Sequence, residues 1–242
     1  MPLVPGTPLG PPDVADDRDS ARDYFEKLAP EYDRAFRRKG RGPLNALVNR
    51  FFRGPTFVRR MRLLEDVFAK LRLGGKTVLD LGCGSGQVSL LAAAMGARVR
   101  GIDISPGMLA LAREAAARAG LADRVSFEEG DVSRDPLPEA DVVLLVGVIE
   151  YYRDFGGLVR RAADAARRVL VIAHANRVLY RMALRHALAR FGRLNLYYHP
   201  MHAVAAAAHG AGLRLAEEKR EHAFTILVLE REPPGAEVAP RG

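Results

Sequence analysis

The chain has 242 residues, 37 Lys and Arg against 29 Asp and Glu for a net charge of +8, 48% hydrophobic residues and one cysteine. This length suits one well-cored domain with a small elaboration. No apolar run approaches the roughly 18 residues of a spanning helix, and a single Cys excludes an intrachain disulfide and predicts a reducing, cytoplasmic setting.

The N-terminus lacks the basic-then-apolar layout of a signal peptide. Residues 1–19 hold Pro2, Pro5, Pro8, Pro11 and Pro12 followed by acids, and predict a disordered tail, as do 233–242. A helix is expected from Ser20, with Asp23 placed for a capping box, and is interrupted at Gly40 and Gly42-Pro43. Leu44, Leu47, Val48, Phe51 and Phe52 follow with helical spacing, and another helix runs from Gly54-Pro55 to about Leu71. Residues 20–72 therefore read as a helical cap in front of a domain at 73–232.

From Lys76 strands alternate with helices. Strands are predicted at Thr77–Leu81, Arg98–Ile102, Arg124–Glu128, Ala140–Val146 and Arg168–Ala173; the fourth is continuously apolar, as a strand buried on both faces should be. Ser105-Pro106 caps a helix that Gly120 closes, another begins near Phe155, and Met201–Ala211 is helical. Leu213–Lys219 and Ala223–Glu230 look like an antiparallel hairpin. The repeated strand–helix units predict a doubly wound, mostly parallel α/β sheet with helices on both faces.

The chemistry concentrates at 78–86, Val-Leu-Asp-Leu-Gly-Cys-Gly-Ser-Gly, where an apolar strand runs into three glycines on alternate positions and then a helix. Glycines allow close approach to a ligand, and the helix N-terminus offers unpaired N–H groups. The spacing Gly82-x-Gly84-x-Gly86 is not the Gly-x-Gly-x-x-Gly of dinucleotide sites. Asp80 in front of it would repel a pyrophosphate, and no Lys-Ser/Thr follows for a triphosphate. Asp103 closes the second strand and suits ribose hydroxyls; Asp131 follows the third and can accept from an adenine amino group. Three acids at three strand ends predict one site for a nucleoside with both cationic and anionic parts, at the strands' carboxyl ends.

In the segments 78–86, Gly101-Ile-Asp-Ile-Ser105, Gly130-Asp-Val132 and Asp141 through Tyr152 the chain resembles the class I S-adenosylmethionine-dependent methyltransferases, over about 24–231. The resemblance implies a seven-stranded Rossmann-like sheet and S-adenosylmethionine as cofactor. The implied cofactor contacts are Asp80, Gly82, Cys83, Gly84, Gly86, Asp103, Ile104, Met108, Asp131 and Val132, with Gly147 and Val148 near the sulfonium. Tyr24-Phe25-Glu-Lys-Leu-Ala-Pro-Glu-Tyr32-Asp33 is similar to the lid helix of small-molecule members such as ubiquinone-pathway and Mg-protoporphyrin methyltransferases, and implies that Tyr24 or Tyr32 closes over the cofactor. Where many of those relatives have a histidine after strand four, this chain reads Ile149-Glu150-Tyr151-Tyr152, so a histidine base is not carried over there.

Tyr24, Tyr32, Tyr151, His174 and His199 are the candidates for the cap and acceptor side; packing is the plainer role for one of Tyr151 and Tyr152 and for both histidines. His186, His202, His209 and His222 form no metal-ligand pattern, so no metal is expected. Charge also clusters: 34–62 has ten Lys and Arg and no acid, and 177–200 has five Arg and no acid. A charge run is usually a solvated face, yet Phe36, Phe51, Phe52 and Phe57 interleave the first. An anionic or carrier-bound small substrate or an anionic membrane surface would explain both. RNA is the weaker reading, since no RNA-binding module is appended. Methyl transfer to a small molecule, with oxygen the favoured acceptor atom, therefore stands first. An RNA or protein methyltransferase and a non-catalytic cofactor-binding protein are the alternatives.

Overall fold

The computed structural model describes residues 19–27, 29, 54–175, 196–221 and 224–231. Tyr32, most of both basic stretches, His186, His222 and the two expected tails apart from Asp19 lie outside them. Residues 19–27 are helical (α1). Because Asp19 is already in the helix, Ser20 is not its N-cap; it is buried within the first turn instead.

The strands are β1 (Thr77–Leu81), β2 (Arg98–Asp103), β3 (Val125–Glu129), β4 (Ala140–Val146), β5 (Ala166–Ala175), β6 (Leu213–Arg220) and β7 (Phe224–Arg231). The helices after α1 are α2 (Gly54–Leu71), α3 (Gln87–Ala94), α4 (Pro106–Arg118), α5 (Phe155–Ala165) and α6 (Met201–His209), with a 3-10 turn at Ile149–Tyr151. They form one seven-stranded sheet in the order β3-β2-β1-β4-β5-β7-β6. β7 runs antiparallel to both neighbours and the other pairings are parallel. This is the doubly wound, Rossmann-like arrangement expected.

Side chains alternate across the sheet with the two-residue period of a strand. Val78, Val142, Leu144, Val169 and Val171 pack with Leu64, Val67 and Phe68 of α2 and with α3 and α4. Leu79, Leu81, Val143, Leu145, Leu170 and Ile172 pack on the other face, against Leu158 and Val159 of α5 and Val204 of α6. The same alternation puts Asp80 on the α3 face, in phase with Val78. At the opposite end of the strands Asp141 accepts from the Thr77 N–H and hydroxyl, both at 2.9 Å, and ties β4 to β1.

The strand order reverses between β1 and β4. One runs on through β2 toward β3, the other toward β5, so the loops leaving their carboxyl ends separate and open a crevice there.

Candidate active site

A cavity of about 290 Å³ fills that crevice. Its first wall is the loop after β1: Asp80, Gly82, Cys83, Gly84 and Ser85, followed by Gln87 and Val88 of α3. Gly82 has φ +70°, and a Cβ there would lie 2.6 Å from Val148 Cγ2, so a bare backbone is needed where the loops from β1 and β4 touch. Gly86 (φ +78°) does not line the cavity; it lies against the Phe127 ring and Ala112, which a Cβ would meet at 2.9 and 3.0 Å. The loop is further pinned by the Gly82 and Cys83 N–H groups donating to the Ile102 carbonyl at 2.8 and 3.1 Å.

Two buried acids stand in this wall. Asp103 accepts from the Gly84 N–H at 2.7 Å and from the Ser105 N–H at 3.0 Å. It thereby joins the glycine loop to the start of α4, where Ser105 caps Met108 at 3.2 Å. Burial pushes its carboxyl above the usual range, against the pull of those two N–H donors. Asp80 accepts from the Ser89 hydroxyl at 2.6 Å, and burial raises its pKa to about 6, opposed by Ser89. Burial also pushes the Cys83 thiol up, which leaves it a poor nucleophile. Ile104, Met108, Gly130 and Val132 continue the wall.

Asp131 departs from expectation. It does not line the cavity; its Oδ1 accepts from the Ser133 N–H at 2.9 Å and hydroxyl at 2.6 Å, closing its own turn. Its neighbours Gly130 and Val132 face the cavity instead.

The second wall follows β4: Val146, Gly147 and Val148, then Glu150, Tyr151 and Tyr152. The cover comes from Ala21 and Phe25 of α1 and from Phe57 and Arg60 of α2. Phe25 takes the place expected of Tyr24, which packs edge-on against it at 5.3 Å; Phe25 in turn meets Tyr151 edge-on at 5.3 Å. Glu26 fastens α1 by accepting from the Ser105 hydroxyl at 2.6 Å and the Gly107 N–H at 2.9 Å.

Arg60, Phe25 and Glu150 are among the lining residues that sequence reasoning did not assign to the site. Arg60 lies three residues after Phe57 and four before Leu64, so it falls on the buried stripe of α2. A charge on an apolar stripe was the available signal. Its Nε is buried without a hydrogen-bond partner among the described residues, and Nη1 stands 3.3 Å from where a Cβ on Gly147 would be.

The two histidines proposed for the acceptor side do not line the cavity. His199 Nε2 lies 3.1 Å from the Ile149 carbonyl and 2.9 Å from that of Tyr152. Facing two acceptors, Nε2 must carry the proton, and the ring closes the 3-10 turn; burial lowers its pKa. His174, on β5, stands behind Glu150 with Nδ1 3.1 Å from Oε2. No group of His, Cys, Asp or Glu suited to a metal occurs among the described residues.

A family profile described as a methyltransferase domain matches residues 78–171. The ubiquinone biosynthesis O-methyltransferase of Azorhizobium caulinodans is 34% identical over 116 residues, 46% of this chain and 45% of that protein. The ribosomal protein L11 methyltransferase of Deinococcus radiodurans is 40% identical over 75 residues, 31% of this chain and 28% of its own. The chain thus spans less than half the length of these curated relatives. The crystal structure of magnesium protoporphyrin IX methyltransferase from Synechocystis PCC 6803 with bound SAH superposes with a TM-score of 0.71 at 25% identity, covering 90% of this chain and all of the other. Sheet order, glycine loop and these likenesses agree: residues 78–171 are a methyltransferase domain, in a chain that shares its fold with an S-adenosylmethionine-dependent methyltransferase.

Proposed function

We propose that this protein transfers a methyl group from S-adenosylmethionine to a small-molecule acceptor, with a hydroxyl oxygen as the favoured acceptor atom. The observation that carries the reading is a single crevice with a polar cofactor wall after β1 and β2 and a separate wall after β4 for the acceptor. The residues fit a zwitterionic donor. Asp80 is a buried carboxylate that gains from a cation, and Arg60 brings a guanidinium with a buried, unpartnered Nε to the same cavity, suited to a carboxylate. Asp103 reaches the cavity while holding the loop, in position to accept from ribose hydroxyls, and Gly130 and Val132 offer backbone and an apolar surface to a base.

When bound, the donor supplies a sulfonium methyl group that departs by in-line displacement. The protein's part is alignment and exclusion of water: reacting atoms are held roughly 3–3.5 Å apart. Phe25 and Phe57 cover the crevice, and a dry site strengthens every interaction with the cation. The small-molecule class draws support from the ubiquinone-pathway and Mg-protoporphyrin relatives. The acid-free stretch 34–62 supports an anionic or membrane-presented acceptor.

Titration calorimetry with S-adenosylhomocysteine tests the donor site, and transfer of labelled methyl from S-adenosylmethionine into cell-extract fractions tests the acceptor class. The expected outcome is binding, with label in the small-molecule or lipid pool. Label confined to RNA or protein would overturn the acceptor class, and binding without transfer to any pool would make this a cofactor-binding protein only.

A further inference from the structure

Glu150 lines the cavity from the one-turn helix after β4, and no donor contact proposed above uses it. It is 6% exposed and held from several sides. His199 closes the turn that carries it, the Tyr197 N–H donates to its carbonyl at 2.8 Å, and His174 Nδ1 meets its Oε2 at 3.1 Å. A buried acid–imidazole pair is a weak source of stability, because desolvation offsets the attraction. The two histidines differ in what they do. The His199 ring spends its proton on two backbone carbonyls, whereas the His174 ring meets Glu150 through Nδ1, and its buried Nε2 has no partner among the described residues. His174 is thus placed to serve one carboxylate, that of a residue lining the crevice on the wall after β4.

We propose that Glu150 is the proton acceptor for the group that receives the methyl, and that His174 is its positioning residue. The inference rests on the methyltransferase reading. As the acceptor oxygen forms its bond to the methyl carbon, the carbon–sulfur bond breaks and its electron pair stays on sulfur, leaving a neutral thioether. The hydroxyl proton passes to the Glu150 carboxylate and from there to solvent on product release. In this role the His174 Nδ1–H donates to Oε2 and fixes the carboxylate's orientation. Among the described residues, the titratable and charged groups around Glu150 include His174 and His199 behind it, Tyr151 beside it, and Asp80, Asp103 and Arg60 in the same cavity.

The test compares wild type with Glu150→Gln, His174→Phe and His174→Asn. Its readouts are the initial rate of labelled methyl transfer to the extract fraction that wild type labels, and calorimetry with S-adenosylhomocysteine. Glu150→Gln is expected to lose on the order of 10²–10⁴ in rate, the usual worth of a general base, with dissociation constants for S-adenosylhomocysteine within about threefold of wild type, well inside one tenfold step of affinity. The acidic limb of the rate–pH profile should vanish in Glu150→Gln, move in His174→Phe, and return in His174→Asn, whose amide can donate as Nδ1 does. A Glu150→Gln rate within about threefold of wild type, or a collapse of S-adenosylhomocysteine binding in that variant, overturns the proposal. If Glu150→Gln does not fold, Glu150→Asp decides: a large rate loss with the acidic limb retained supports the assignment, and a wild-type rate overturns it. Wild type that binds S-adenosylhomocysteine but labels no fraction overturns the methyltransferase reading itself, and the proton acceptor with it.

Discussion

The two walls of the crevice are built in different ways. The wall after β1 and β2 is largely local: its centre is the loop Asp80–Gln87, tied to Asp103 at the end of the neighbouring strand β2, and backbone N–H groups and carbonyls hold the loop shut. The wall after β4 is assembled from distance. Glu150 is fixed by His174 on β5, Tyr197 and His199 before α6, and it shares the cavity with Phe25 of α1 and Arg60 of α2. A motif that satisfies itself can be carried by short-range sequence; a wall made of five separated segments depends on how the whole sheet packs. On the proposed function, the first wall sets the donor and the second is free to vary with the acceptor.

The sharpest way to break this division is at Asp103. Removing its carboxylate frees the Gly84 and Ser105 N–H groups together and unfastens the loop from α4. Hydrogen bonds to a charged group contribute about 1.5–3 kcal/mol each, so Asp103→Ala should weaken S-adenosylhomocysteine on the order of 10²–10³-fold by calorimetry. Binding equal to wild type would mean that the loop holds its shape without Asp103, and that the carboxylate has no part in the donor site.

Gly82 is where the walls meet, so a side chain there tests both at once. Ala at φ +70° carries backbone strain of roughly 1–2 kcal/mol, and its Cβ, 2.6 Å from Val148 Cγ2, adds an overpacking cost of about 1–3 kcal/mol. Gly82→Ala should lower the melting temperature by several degrees, and Val148→Ala in the same chain should restore only the share due to the clash. Full restoration would place the whole cost in the contact and none in the backbone; no loss at all would show that the walls are not in contact.

The same division explains what the sequence made legible. β1 and β4 fall on their predicted bounds, and the hairpin of β6 and β7 and the Ser105 cap are present, because each is signalled by residues close in the chain. Phe25 was missed in favour of Tyr24 by a single position, which turns a helical side chain through about 100°. The buried or half-buried series Ala21, Phe25 and Ala29 at four-residue spacing held the correct phase. Asp131 differs in another way: its residue type suited a ligand, but it lies off the cavity lining, where its Oδ1 accepts from the Ser133 hydroxyl two positions later. Glu150 had no local signal beyond an acid directly after a doubly buried strand. Its significance comes from His174, 24 residues on and one strand over.

The smallest effect expected separates charge from shape within the donor wall. Asp80 has its pKa raised to about 6 by burial, opposed by the Ser89 hydroxyl and reinforced by the nearby Asp103 charge. Between its ordinary value of 3.8 and about 6, the folded protein holds a proton that the unfolded chain releases. Stability therefore falls as pH rises through that window, and the cost is in full above about 6. Asp80→Asn keeps an acceptor for Ser89 and removes the charge, so it should raise the melting temperature of the ligand-free protein at pH 7.5 and lose that advantage toward pH 4.5. Donor binding should move the other way. A cation docked beside Asp80 favours its ionised form, so wild-type affinity for S-adenosylhomocysteine, which keeps the ammonium group, should be greatest above pH 6 and decline as pH falls through it. In Asp80→Asn affinity should be about tenfold lower at pH 7.5, the equivalent of one 1.4 kcal/mol step, and nearly flat with pH. A variant that is more stable and binds less well above pH 6 identifies a carboxylate kept ionised in the fold for its ligand. A variant that binds equally well at both pH values would assign the ammonium to another partner and leave Asp80 as a link between β1 and α3.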